Sequence, residues 1–534
     1  MDSRFEKDNV STSNQRGAWY TLATLMAVSI FINADRSLMS ILMESIKLDF
    51  GITDAEVGFI FGTAISVFYA LFSIPLGRLA DVWNRKKLIA IGIGACGLMI
   101  AATGAAKSFV ALAVCRIGVG VGESSSGPAA ISMVADIFPA RWRATAMSIM
   151  ASGANVGTGL GLFAGGYTLD AWTSAFPDSA LAPLGLKGWQ ASIMVLALFG
   201  LILSAALACL KEPLRGQSDG LRIPIYPHPF RDTWEVMKTV MPGFSLRALW
   251  RLSGIRAVRA NLIIAVTLSV VGYILAELTN SPAQWIALLF GVYCVASWLQ
   301  AIAFRDKAMF VMIFKCKTLT LIFIGAAFFF FLNAGVLTWI APLFQRVYGA
   351  SASQAGLAIG LGSVVGGLTG TVLGGVIADR FRRFSKRSGF FVMMGSIVLM
   401  GPSLMLVLRA ESYHLAVAGF ALYILFSSLW YGVVFSILSE LLVPRMRATA
   451  TAFYLISITF TGFALGPYTV GLMSDLFQSS GVNAGEALSN GLMLSLTTLP
   501  FALFFIYLAS RSFKHESSSV VKRAVALGED VAVV

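Results

Sequence analysis

Apolar runs of roughly 20 residues, parted by short polar breaks, follow one another along almost the whole chain, and each is long enough to cross a hydrocarbon core of about 30 Å. In lipid a helix satisfies its own backbone groups, so each run predicts a helix. The predicted spans lie near 18–42, 55–77, 88–106, 109–136, 144–168, 189–210, 261–277, 283–304, 318–342, 354–378, 389–408, 413–440, 447–474 and 489–510, fourteen in all. This is the pattern of an all-α polytopic membrane protein. Six spans precede a polar stretch at 211–260 and six follow residue 317. The pair between them, 261–277 and 283–304, has no counterpart in either half.

The expected organisation is an N-terminus (1–17), an N-terminal six-helix bundle (18–210), a linker with two additional spans (211–317), a C-terminal six-helix bundle (318–510) and a loose tail (511–534). Within the linker, Phe230, Trp234 and Met237 alternate with Arg231 and Lys238 as in a short amphipathic helix lying on a membrane surface. The polar start of the chain runs into an ordinary first span, without the short apolar stretch and cleavage site of a signal peptide.

The halves echo each other. Asp136, Pro139, Arg141, Arg143, Ala144, Thr145 and Ala146 return as Glu440, Pro444, Arg445, Arg447, Ala448, Thr449 and Ala450. Upstream, Gly77, Asp81 and the basic Arg85, Lys86 and Lys87 return as Gly375, Asp379 and Arg380 with Arg382 and Arg383. Each copy ends a long apolar run. Duplicated hydrophobic halves are the sequence mark of a secondary transporter, with its cargo site expected between them.

Composition agrees: hydrophobic residues make up 57% and charged ones 13%, with mean hydropathy +0.78, where a soluble domain carries about 25% charged residues. The net charge of +13 is unevenly spread. If the N-terminus is inside, only Lys47, Lys107, Lys187, Arg346 and Arg409 fall outside. Arg36 and Arg116 sit within spans, and every other Lys and Arg lies on the side of the termini. That asymmetry predicts cytoplasmic termini, in a bacterial inner membrane. It reads the charge as topology and headgroup affinity, not as a nucleic-acid surface.

The five cysteines show neither metal-ligand spacing nor a disulfide framework. His228, His414 and His515 join no cluster at membrane depth, and no phosphate-binding glycine loop occurs. No enzyme, metal or cofactor is therefore expected.

Charges at membrane depth are costly enough to count as functional candidates, and the spans hold Asp35, Arg36, Arg116 and Glu123. At about 1.5 Å per residue, Asp35 and Arg116 fall in the outer half. Glu123 lies past the midplane, on the same helix face as Arg116 because a seven-residue step closes two turns.

These motifs resemble the major facilitator superfamily, and within it the spinster-like transporters. The loop with Gly77, Asp81 and Arg85 is similar to the superfamily's signature between spans two and three, and its echo at Gly375 and Asp379 to that signature's repeat. Arg116 with Gly118, Gly120 and Gly122 resembles its fourth-span arginine motif. Asn33, Asp35 and Arg36 with Gly120 and Glu123 carry the spinster-like character. The resemblance covers about 18–210 and 318–510. The additional pair departs from a twelve-helix spinster pattern and is similar to insertions in fourteen-span facilitators and bacterial peptide transporters.

The resemblance implies two six-helix bundles with pseudo-two-fold symmetry, a central cavity lined by spans one and four, and alternating access by a monomer. It also implies a cytoplasmic gate formed by Gly77, Asp81, Arg85, Asp136, Arg143, Gly375, Asp379, Arg380, Glu440 and Arg447. On that scaffold Asp35 or Glu123 is expected to lose and regain a proton while Arg36 and Arg116 pair with the carboxylate or an anionic cargo group. Burial raises a carboxyl's pKa and a nearby arginine lowers it, so a cargo that takes the arginine changes the acid's proton affinity. The alternative is a permanent ion pair holding two helices in register.

Further cavity candidates are Asn33, Tyr69, Asn155, Asn333, Trp339, Trp430 and Tyr431. A charged wall facing an aromatic one suits an amphiphile such as a lysolipid or a sphingoid compound. Small aromatic or organic acids and drugs are the alternative cargo. A membrane-embedded lipid-modifying enzyme and a transport-inactive receptor are the readings from other classes.

Overall fold

The computed structural model describes residues 11–215 and 228–527. Every regular element among them is helical. The N-terminal half comprises α1 (Ser11–Phe50), α2 (Asp54–Val82), α3 (Arg85–Gly104), α4 (Phe109–Ile137), α5 (Ala140–Ala175) and α6 (Gly188–Cys209). The insertion holds α7 (Pro229–Val240), α8 (Phe244–Thr279), α9 (Pro282–Arg305) and α10 (Lys307–Phe314). The C-terminal half repeats the first as α11 (Lys317–Tyr348), α12 (Ala352–Arg382), α13 (Ser388–Arg409), α14 (Tyr413–Glu440), α15 (444–479) and α16 (Ala484–Ser518).

Helix starts are set by side chains that accept the first orphaned N–H groups: Thr53, Asn84, Ser108, Ser351, Ser412 and Asn483. Gly349, at φ 61°, ends α11 in the left-handed conformation.

Packing repeats between the halves. α3 pairs with α6 and α4 as α13 does with α16 and α14; α1 lies along α5 as α11 does along α15. The bundles meet along two seams related by the same symmetry, α2 with α15 and α5 with α12. Across one seam α2 and α15 each carry a π-helical turn, Phe59–Thr63 and Thr459–Ala464, and the two turns touch. The face bearing the start of α1 and the end of α16 is called terminal below, and the opposite face distal.

Thirteen of the helices in the described residues are long and apolar enough to cross a membrane. The remaining expected span, at 144–168, is a helix, the 36-residue α5, but it falls outside that group. Gly153, Asn155, Gly157, Gly159 and Gly161 lower its apolarity and suit it to close packing on α1 and α12. The weak run at 261–277 belongs to α8, kinked at Gly254 (φ 68°), and the amphipathic linker helix is α7.

The tail departs from expectation. Helix continues to Ser518 and resumes in α17 (Val520–Ala526), where Val520 and Ala524 are buried. Glu516 accepts the backbone N–H groups of Lys317 and Thr318 at 2.9 and 2.8 Å, so it caps α11 and ties the tail down. The rest of 511–534 lies outside the described residues.

A Cβ at Gly157 would sit 2.4 Å from the Ile30 carbonyl oxygen, whereas at Gly375 it would meet nothing within 4 Å. Gly157→Ala is therefore expected to cost about 1–3 kcal/mol through overpacking of backbone against backbone. The check is a lower midpoint of thermal unfolding in detergent, with Gly375→Ala leaving the midpoint unchanged or slightly raised.

Candidate functional site

The four intramembrane charges meet between α1 and α4. Arg116 forms a bidentate pair with Asp35, with Nη1 3.2 Å from Oδ1 and Nη2 bonded to Oδ2. Arg36 donates to Glu123 Oε2 through Nη2 at 2.6 Å and Nε at 3.2 Å. The two depths read from residue spacing are thus bridged by arginine side chains.

The pairs differ in access. Asp35, Arg116 and Glu123 are fully buried, while the Arg36 side chain keeps 34% of its surface exposed. Arg36 lies over the Tyr69 ring, 5.3 Å from its centroid. Glu123 Oε1 and Arg116 Nε have no hydrogen-bond partner among the described residues.

Local sequence explains the placement. α4 breaks at Ser124–Ser126, and each serine hydroxyl donates to the carbonyl three residues earlier: Val121, Gly122 and Glu123, at 2.7, 2.8 and 2.8 Å. The interruption of the helix just after Glu123 is thus paid in local hydrogen bonds, before Gly127 and Pro128 start the next segment. A Cβ at Gly120 would lie 2.4 Å from Ile65 O; its absence lets α2, which carries Tyr69, approach α4.

The C-terminal bundle supplies an uncharged counterpart. Asn333 accepts from Tyr423 Oη at 3.2 Å and donates to Tyr431 Oη at 3.3 Å. Trp430 stacks on Phe329 at 4.3 Å and donates to Tyr454 Oη at 2.9 Å. Trp339 donates to Pro467 O at 2.8 Å. Trp339, Trp430 and Asn333 are at most 1% exposed. Expected as cavity lining, they are instead packing residues in this conformation, their polar atoms satisfied inside the bundle. Tyr69, Tyr431 and Asn33 are half-buried; Asn33 donates to Ser29 O at 2.9 Å. Asn155 faces Gly367 across the α5/α12 seam.

The sequence model of the Major Facilitator Superfamily matches residues 25–467. The chain belongs to this superfamily. It is similar to an MFS-type efflux pump of Mycolicibacterium smegmatis, 22% identical over 96% of this chain and 97% of that protein. It is also similar to protein spinster homolog 1 of Rattus norvegicus, 25% identical over 86% of this chain and 73% of that one. The fold matches the crystal structure of a bacterial homolog of the human lysosomal transporter Spinster in an inward-facing, unoccupied conformation. That match has TM-score 0.68 and 21% identity over 94% of this chain and 98% of that one. The protein is a facilitator: an integral membrane transporter, not an enzyme.

The facilitator's terminal rim holds the duplicated motifs. Arg85 is fully buried, paired with Asp136 and, at 3.0 Å, with Glu212; it also donates to Ser132 Oγ and Pro213 O. In the other bundle Glu440 pairs with Arg382 at 2.7 Å, a residue outside the expected gate set. Asp81, Asp379, Arg380 and Arg447 are exposed and Arg143 is half-buried. Gly77 runs close to Pro128, and Gly375 faces open space. These pairs join helix ends within a bundle.

The distal rim joins one bundle to the other, and residue spacing gave no sign of it. Asp54, fully buried at the start of α2, receives Arg346 of α11 in a bidentate pair at 2.7 and 2.8 Å, and Lys47 at 2.5 Å. Ser474 and Gln478 of α15 add bonds at 2.7 and 3.0 Å. Arg346 also pairs with Glu44 of α1 at 2.7 Å. Asp475 accepts the N–H groups of Asp54 and Ala55 at 3.0 and 2.7 Å.

Arg116→Leu strands the buried Asp35 charge and is expected to cost about 3–5 kcal/mol of stability. The Arg116→Leu/Asp35→Leu double variant should recover most of that loss. Thermal unfolding of both variants, in the same detergent, measures the difference.

Proposed function

We propose that this facilitator is a secondary active transporter, coupled to protons, that moves an amphiphilic or anionic organic solute by alternating access. The observation that carries the reading is the half-used carboxylate of Glu123, shared with a half-exposed Arg36 beside the sealed Asp35–Arg116 pair. Asp35 and Arg116 satisfy each other out of reach and act as the fixed frame. Arg36 is the cation that a cargo carboxylate or phosphate can draw away, since a guanidinium binds either group bidentately. Once it leaves, Glu123 holds an unpaired charge in a low-dielectric interior, at a cost of several kcal/mol. A proton on Oε1 removes that cost. When the cargo departs, Arg36 returns and the proton is expelled, so the two sites share one coupling free energy.

On this reading the terminal face is cytoplasmic, in keeping with the distribution of Lys and Arg. The fastened distal rim then describes a conformation open to the cytoplasm. The exposed Asp81, Asp379 and Arg380 stand available for contacts across the terminal rim when it closes. A bacterial inner membrane is the setting this topology suits, and a single chain, holding both bundles, suffices for the cycle.

The cargo class rests on the contrast between the walls: charge on α1 and α4, half-buried aromatic hydroxyls at Tyr69 and Tyr431. That pairing fits a lysolipid-like or sphingoid-like amphiphile, in line with the likeness to spinster homologs. A small aromatic acid or drug is the second reading of the same guanidinium and aromatic groups, and the likeness to an efflux pump over nearly its whole length favours export as its direction.

The test is Glu123→Gln in proteoliposomes. Accumulation driven by a proton gradient is expected to fall by about ten-fold or more, while gradient-independent exchange of the same solute persists. Undiminished gradient-driven accumulation would exclude Glu123 as the proton carrier.

A further inference from the structure

The inserted helices α8 and α9 hold each other by polar groups. Asn261 of α8, fully buried, donates to Ser297 Oγ at 2.9 Å and Gln300 Oε1 at 3.0 Å, and accepts from Tyr293 Oη at 2.7 Å. Gln300 in turn donates to Ala257 O at 2.8 Å. Asn261, Tyr293, Ser297 and Gln300 thus meet one another's polar needs within the hairpin, as side chains in lipid require.

A second face of α9 fits the seam between the bundles. Gln284, Gly291 and Trp298 follow at seven-residue steps and so share a face. Near the distal end Gln284 Oε1 accepts from Thr63 Oγ1 of α2 at 2.6 Å, and that hydroxyl also lies 2.8 Å from Ala464 O of α15. Gln284 Nε2 makes no bond among the described residues, so this polar tie is single. Midway, a Cβ on Gly291 would lie 2.5 Å from both Val67 of α2 and Phe460 of α15. Towards the terminal face Trp298 stacks on Phe453 of α15 at 4.9 Å, and Phe290 on Phe68 of α2 at 6.3 Å. Val67, Leu71, Leu288, Cys294, Ile456 and Phe460 form a hydrophobic cluster separate from the main core, drawn from both bundles and α9.

In the distal half α2 and α15 touch directly: a Cβ at Gly58 would lie 2.6 Å from Pro467 O, and one at Gly62 2.8 Å from Phe463 O. Beyond Val67 and Phe460, α9 occupies the groove between them. The symmetry-related seam has Asn155 set directly against Gly367, and the inserted pair lies on the other one.

We propose that α9 is a wedge in the α2/α15 seam that keeps the terminal half of this seam parted and so biases the transporter towards its distal-closed state. Closing the terminal side brings α2 and α15 together past Val67, which requires Trp298 and its neighbours to leave the groove. The bias is therefore the free energy of the α9 contacts, present in one state and lost in the other. This rests on the alternating-access reading and adds to it which state the insertion favours.

The experiment uses the full chain in liposomes, with its native cysteines replaced and its transport verified. Spin labels are placed on the exposed distal loops at Leu184→Cys and Glu411→Cys, and their distance distribution is measured without cargo. Trp298→Ala is expected to raise the share of the long, distal-open distance by about three-fold or more, and Gln284→Leu to raise it less. If Trp298→Ala does not fold, Gln284→Leu carries the same sign. Unchanged shares in both variants, or a shift to the short distance, would overturn the wedge. A single distance in the unsubstituted protein at every proton and cargo concentration would instead overturn alternating access.

Discussion

Two crossed ion pairs between α1 and α4 are what the N-terminal bundle is arranged around. Each of the four charges would be prohibitive alone in a lipid-embedded interior, and each is tolerable because its counter-charge arrives from the neighbouring helix. Local features serve that meeting. The serine-capped break in α4 follows Glu123 directly, and the bare Cα of Gly120 lets α2 bring Tyr69 beneath Arg36. The two arginines differ in exposure: the Arg116–Asp35 pair is buried on both sides, whereas Arg36 leaves its pair with one accessible end.

The two rims differ in what their ion pairs join. Terminal ion pairs such as Arg85 with Asp136 and Arg382 with Glu440 bind helices that belong to the same half. The distal cluster around Asp54 binds α1 and α2 to α11 and α15. The two seams are unequal as well. α5 and α12 pack closely through small residues, whereas α2 and α15 share their groove with a helix that neither half encodes. A superfamily built on internal symmetry has here been given a one-sided addition.

Much of this was legible in the sequence because membranes make it so. Apolar runs mark helices, and Asp35, Arg36, Arg116 and Glu123 stand out because charge is rare at that depth. Other parts were not readable. Asp54 and Arg346 sit at helix ends, where charge is ordinary, and a single sequence carries nothing that links position 54 to position 346. Trp339 and Trp430 look alike whether they face cargo or fill a core; their hydrogen bonds to Pro467 and Tyr454 decide it. Helix α5 is less apolar than the other long helices because its glycines serve packing rather than lipid contact. The ordered tail follows from Glu516, whose capping of α11 is a tertiary bond between residues far apart in sequence.

The first turn of α2 has two independent caps, and they belong to different bundles. Thr53 and Glu56 bond reciprocally within the turn, while Asp475 reaches across from α15 to take the first two amide protons. Were the two bundles to separate here, the helix would keep its own start and surrender only groups that water can solvate at once. Such a joint could be made and broken without fraying the element it fastens.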